Sequence, residues 1–204
     1  MAVQATLGKG YKRGLPLMRL SLVLEGELPS SNAASSKDRQ RLRRIFHRQL
    51  AQFWKDDKFA ATLRSMQARE PSDFTRFEKI RGFHFVPLVV ESLDLVCGLE
   101  IEFMRRQPPG ALIGNGGDLD NRINTLFDAL QMPQNENQIP KNDAPNPDEA
   151  PFFFCLLQND GLISDFKITT KRLLEPGDPR EFRLNINAEV RATVPSRFNF
   201  LFGS

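Results

Sequence analysis

The chain has 204 residues, of which 40% are hydrophobic and 26% charged, with a formal net charge of +3. These values are typical of a globular protein with one domain and a substantial core, and they exclude wholesale disorder. The charge permits a nucleic-acid partner without requiring one. The two cysteines, Cys97 and Cys155, form no CxxC pair, which argues against a zinc site and against a disulfide framework.

Neither a basic-then-apolar leader nor an apolar run of about 20 residues is present in the sequence. We therefore expect a chain without a signal peptide or membrane span, located in the cytoplasm, or with the nucleoid if its partner is DNA.

The N-terminal third alternates between basic and amphipathic segments. Residues 1–17 carry Lys9, Lys12 and Arg13 among glycines and are predicted to be a flexible basic arm. The leucines of 19–25 share one face, which indicates a strand. Apolar residues at helical spacing predict helices over 36–54, preceded by a capping box of Ser35 and Asp38, and over 58–69.

The remainder predicts a mixed sheet with one further helix. Strands are predicted over 83–90, 93–104, 163–172 and 181–193, a helix from about 119, and an irregular Pro-rich surface loop over 132–151. This order predicts an α+β fold, a single domain over 18–194 with a mixed β-sheet and helices packed mainly on one face, followed by a tail at 195–204.

Two carboxylates one residue apart, Asp118 and Asp120, stand where a glycine-containing loop meets the helix predicted from 119. Carboxylate oxygens so placed suit Mg²⁺, which could activate water and neutralise charge on a phosphate. The alternative is a helix cap, because Asp is a preferred N-cap residue. From the local sequence alone, Asp160 is interpreted as a turn residue and Asp165 as an exposed strand residue beside Lys167.

The segment Gly117-Asp118-Leu119-Asp120-Asn121, running into a helix that ends Phe127-Asp128-Ala129-Leu130, resembles the RusA-like Holliday junction resolvases (crossover junction endodeoxyribonucleases). In that family an acidic segment follows on a loop and strand, and 158–166 looks similar. The resemblance implies a RusA-like fold over about 18–190 and a homodimeric, Mg²⁺-dependent endonuclease (Mn²⁺ being possible) that cuts four-way, branched DNA in recombination and repair.

The resemblance also implies roles for individual residues. The catalytic metal carboxylates fall on Asp118, Asp120 and Asp160, with Asp165 as a fourth metal position. The family commonly has a lysine where this chain has Asn124, so Arg122, Lys167 or Lys171 would substitute for it, or cleavage would be weak or absent. The residues expected to contact DNA are Arg105, Arg106, Arg122, Asn124, Lys167 and Lys171.

Three functional interpretations remain open from the sequence: a junction-cutting nuclease, a junction-binding protein without cleavage, and an interaction protein whose acidic turn is only a cap. The arginines of helix 36–54 are either a solvated face or phosphate contacts. His47 and His84 are predicted to be structural.

Overall fold

The computed structural model describes residues 2–5, 14–56, 60, 78–106, 118–178, 181–196 and 199, with backbone alone for 2–5, 78 and 118. The described strands are β1 (Ala2–Ala5), β2 (Leu15–Gly26), β3 (Glu78–Ile80), β4 (Phe83–Val89), β5 (Leu95–Arg105), β6 (Phe153–Leu157), β7 (Ile163–Arg172) and β8 (Phe182–Ala192). The described helices are α1 (Ser36–Lys55) and α2 (Asp118–Leu130), and short 3₁₀ turns lie at 91–93, 136–138, 147–149 and 160–162.

A five-stranded mixed sheet in the order β1-β7-β5-β8-β2 forms the centre of the fold. The central strand β5 pairs in parallel with β7 and antiparallel with β8. Because β5 and β7 are parallel neighbours, the chain must cross from the end of one to the start of the other, and α2 lies on that crossover. This crossover fixes which loops share an end of the sheet.

Both helices pack on one face of this sheet, as the sequence predicts. Alternation along β8 sends Leu184, Ile186 and Ala188 into the core, where they join apolar residues of both helices. The opposite face carries polar and charged side chains between the same strands. The molecule is an α+β domain, and no described helix is long and apolar enough to cross a membrane.

Helix α1 is fixed at its start and along its length. The predicted capping box is present: the Asp38 N–H donates to Ser35 Oγ at 3.2 Å, and the Ser35 N–H donates to Asp38 Oδ2 at 2.9 Å. The Gln49 amide bonds to both the N–H and the carbonyl of Val23 at 2.8 Å. Since β2 is an edge strand, this contact satisfies backbone groups that would otherwise face solvent.

The Pro-rich segment 132–151 is not the irregular surface loop that the sequence predicts. It contains two 3₁₀ turns, and Met132 and Ile139 are each 1% exposed. These two side chains close a second small core over the three-stranded sheet β3-β4-β6, together with Ile80, Phe83, Phe85, Phe153 and Cys155. The segment is therefore an integral layer of the fold.

The helices over 36–54 and from 119 and the strands over 19–25, 83–90, 93–104, 163–172 and 181–193 are confirmed, with small shifts at their ends. The prediction of a flexible arm over 1–17 is wrong at 2–5, which pairs with β7, and at 15–17, which begins β2. Nearly all of the helix predicted over 58–69 lies outside the described residues, as does most of the C-terminal tail. Strands β1, β3 and β6 were not predicted.

Candidate functional site at the acidic turn

The acidic turn begins α2 at the end of the sheet where β5 finishes. The Ser31 N–H donates to the Asn121 carbonyl at 2.9 Å, and Ser31 Oγ to Asn121 Oδ1 at 3.0 Å, which joins the turn to the segment after β2. The Arg122 guanidinium lies over the Phe182 ring at 4.7 Å, and Phe182 pairs in register with Arg105. Asp118 and Asp120 therefore share one end of the fold with Arg122 and Arg105.

Two guanidinium groups converge on one ring at this end. Arg105 is 8% exposed and lies 5.5 Å from the Phe182 centroid, while Arg122 also donates to the Leu28 carbonyl. Two such cations in a partly buried environment make the local electrostatic potential positive, which favours anionic groups nearby. Thr170, 7% exposed and near the same end of β7, has no hydrogen-bond partner for its hydroxyl among the described residues.

The helix itself separates an apolar from a polar side. Leu119 and Ile123 are buried, whereas Asp120 and Asn124 are exposed. Residues four apart share a helix face, so Asn124 lies on the same side as Asp120. The side chain of Asp118 lies outside the described residues.

The structure does not bring Asp160 to the acidic turn, contrary to the predicted three-carboxylate site. The Asp160 N–H donates to Gln131 Oε1 at 3.0 Å, immediately after the C-terminal end of α2. At 1.5 Å per residue, eleven residues of helix separate Asp120 from that end by about 16 Å. The crossover is the reason, because it delivers the chain to the start of β7 at the other end of the sheet. Asp160 is an exposed residue that opens the 3₁₀ turn 160–162, in line with its alternative role as a turn residue.

Asp165 and the two candidate lysines lie on the sheet face that carries no helix. Asp165 accepts from Arg191 at 2.6 Å and from Ser164 at 2.8 Å. Lys167 is level with Glu100 in the register of β5 and β7, and Lys171 forms an ion pair with Glu102. The expectation that Asp165 is a fourth metal position at the acidic turn is therefore wrong. Lys167 and Lys171 remain predicted DNA contacts, but on this face of the sheet. Of the three candidate substitutes for the family lysine, Arg122 is the one that lies on α2.

The Arg106 side chain is hydrogen-bonded to the loop that connects β7 to β8. Its guanidinium donates to the carbonyls of Glu175, Pro176 and Asp178 at 2.9–3.3 Å. A Cβ on Gly177 would lie 2.2 Å from an Arg106 nitrogen, so glycine is what allows this approach. Arg106 orders this loop, and a role in DNA contact would require it to leave these partners.

Arg43 on α1 has a structural role that the sequence did not reveal, because the helical pattern does not distinguish it from its exposed arginine neighbours. It is 1% exposed and donates to the carbonyls of Asp128, Gln138 and Gln131 at 2.9–3.3 Å. Burial lowers the pKa of its guanidinium to about 10, so the group stays charged at neutral pH. The cation satisfies carbonyls at the C-terminal end of α2, where positive charge is favoured.

His47 is structural, as predicted. Its ring is buried and stacks on Phe153 at 4.5 Å, and Nδ1 accepts the Phe154 N–H at 2.9 Å. Burial lowers the pKa of the imidazole, which keeps the ring neutral. His84 is exposed on β4.

Comparison with known proteins gives no family assignment: no family model, no curated protein and no solved structure matches the chain. The resemblance to the resolvases therefore rests on the acidic turn, the helix that follows it and the neighbouring segments.

Proposed function

We propose that the protein is a Mg²⁺-dependent endonuclease of four-way DNA that acts as a homodimer. The observation that carries the proposal is the Asp118–Asp120 turn at the start of α2, with Arg122 and Arg105 at the same end of the sheet. Mg²⁺ commonly binds through one or two carboxylates together with substrate phosphates and water, so the turn suffices without Asp160.

In this proposal Asp118 and Asp120 hold the metal, which would neutralise phosphate charge and activate water for hydrolysis. In this proposal Arg122 would contact a neighbouring phosphate, and Arg105 would add positive potential from the buried side. Asp120 being exposed leaves its carboxylate accessible to a substrate. Two symmetric cuts are most simply made by two identical sites related by a two-fold axis.

A second function is favoured by two observations: Asp160 lies at the far end of α2, and the exposed residue one turn after Asp120 is the uncharged Asn124. Both remove groups that the resemblance implies for catalysis. The second candidate is therefore a protein that binds DNA junctions without cutting them.

The experiment that separates the two functions measures cleavage of a labelled four-way junction with Mg²⁺, with Mn²⁺ and with EDTA. The nuclease predicts cleavage that Asp120→Asn abolishes and Asp160→Asn leaves unchanged, since only Asp120 lies at the turn. Cleavage lost equally in both variants would contradict the two-carboxylate site. Binding in EDTA with no cleavage in either metal would establish the junction-binding function instead.

A further inference from the structure

A groove of about 590 Å³ lies between α1 and the Pro-rich segment, and its lining includes none of the residues of the acidic turn. Lys37, Arg41, Arg44 and Arg48 follow one another at intervals of four, three and four residues, which places them on one face of the helix. Residues 140–143 form the facing wall and add Lys141. The volume is in the range of pockets that hold small ligands.

The groove carries a strong excess of positive charge. Five cationic side chains line it, and the carboxylates at hand are those of Asp143 and Glu149, both bonded to Arg44 at 2.9 and 2.7 Å. Since these two carboxylates more than neutralise Arg44, the groove keeps an excess of three positive charges, supplied by the other four cations. The net charge of the whole chain is only +3, so this groove concentrates the basic character of the protein.

Gln40 supplies an independent sign that the groove takes a ligand. Its side chain is 1% exposed and lines the groove, and its Nε2 has no hydrogen-bond partner among the described residues. Gln40 Oε1 faces the Arg43 guanidinium at 3.5 Å, which fixes the orientation of the amide because arginine can only donate. A buried donor without a partner is costly, so a small side-chain shift that exposes Nε2 to an acceptor in the groove would be favourable.

We propose that this groove binds a phosphate group, with the Gln40 amide donating at its floor and Lys37, Arg41, Arg48 and Lys141 surrounding it. A phosphate supplies several acceptor oxygens and the negative charge that four cations favour. The phosphate could belong to a DNA strand or to a small phosphorylated ligand. The DNA source rests on the proposed function, whereas the phosphate chemistry does not.

The first test uses Lys37→Gln/Lys141→Gln, which removes two exposed cations of the groove. Its matched control, Lys55→Gln/Arg19→Gln, removes two exposed cations away from the groove and from the acidic turn and changes the net charge equally. Affinity for a fluorescent four-way junction is measured in EDTA across a salt titration. The groove variant should bind at least tenfold more weakly, and its log–log salt slope should fall by about 1.8 for two lost phosphate contacts. The control should change affinity less than threefold.

The second test isolates the hydrogen bond with Gln40→Met, which keeps the charge and approximate size but removes the donor. We expect at least a tenfold loss of affinity, with thermal unfolding recorded to confirm that the variant is folded. Equal losses in the groove and control double variants, or no loss in any groove variant, would overturn the proposal whether or not Gln40→Met folds.

Inorganic phosphate and a mononucleotide provide the arms that distinguish the two sources. If they bind as tightly as the oligonucleotide and depend on Gln40 in the same way, the groove takes a small phosphorylated ligand. If only the polynucleotide binds tightly, the groove is a DNA contact. Groove-dependent binding in a protein that cuts no junction would uphold this inference while the proposed nuclease activity fails.

Discussion

At the residue scale, the buried His47 on α1 should make the free energy of unfolding depend on pH in the mildly acidic range. Its Nδ1 accepts the Phe154 N–H, and burial lowers the pKa of the ring below its ordinary value of 6.5. The unfolded chain therefore takes up the proton first as the pH falls, so the free energy of unfolding should decrease below about pH 6.5. Urea unfolding from pH 7 to 5 measures this slope, which can reach about 1.4 kcal/mol per pH unit for one group.

His47→Gln should flatten the slope in that window, whereas His84→Gln should not, because His84 is exposed. The carboxylates with lowered pKa values, Asp38, Glu102 and Glu189, have ordinary values of 3.8 to 4.5 and contribute stability that is lost only at lower pH. A slope between pH 6.5 and 5 that survives in His47→Gln would show that another group is responsible.

The buried guanidinium of Arg43 gives a second prediction at this scale. Replacing it in Arg43→Met leaves three carbonyls, those of Asp128, Gln131 and Gln138, without their charged donor. We expect a loss of about 3 kcal/mol or more in the free energy of unfolding, since hydrogen bonds to charged groups and buried carbonyls are both involved. Urea unfolding should show a change within about 0.5 kcal/mol for the exposed Arg48→Met. Similar losses for the two variants would contradict this account of Arg43.

At the scale of elements, the Pro-rich segment should contribute to stability rather than merely be tolerated. Ile139 is 1% exposed in the second core, so Ile139→Ala should lower the free energy of unfolding by about 2–4 kcal/mol. Leu174→Ala, at a residue that is 81% exposed, is the matched control and should have almost no effect. If urea unfolding finds Ile139→Ala as neutral as the control, the segment does not pack as described.

The elements that local sequence predicted are those whose signal is periodic. Alternation along β8 and the capping box of α1 need only neighbouring residues. The bond from Arg43 to the Gln138 carbonyl joins residues 95 apart, and Ile139 packs against residues as distant along the chain as Ile80. Proline content gave no indication of either contact. The position of the acidic turn followed from its sequence, but that of Asp160 depended on the direction of the β5–α2–β7 crossover.

At the scale of the whole molecule, Asp160 lies away from Asp120, so the described residues offer one acidic turn for the proposed cleavage. A four-way junction has two symmetry-related places for cleavage, so the proposed function requires two chains on one junction. In the proposed complex, each chain would contact DNA through two surfaces, the acidic turn and the basic groove. We expect the complex formed in EDTA to contain two chains per junction.

Sedimentation of the protein with a labelled junction measures this stoichiometry, and a linear duplex of equal length is the control. Phosphate contacts alone weaken steeply with salt on either DNA. Contacts that depend on the branched shape should therefore let the junction complex persist at salt concentrations that dissociate the duplex complex. Asp120→Asn should leave the stoichiometry in EDTA unchanged, because EDTA removes the metal from both proteins. In Mg²⁺ the same variant should abolish cleavage. One chain per junction, or equal salt dependence on junction and duplex, would contradict the two-fold arrangement and indicate a general basic surface.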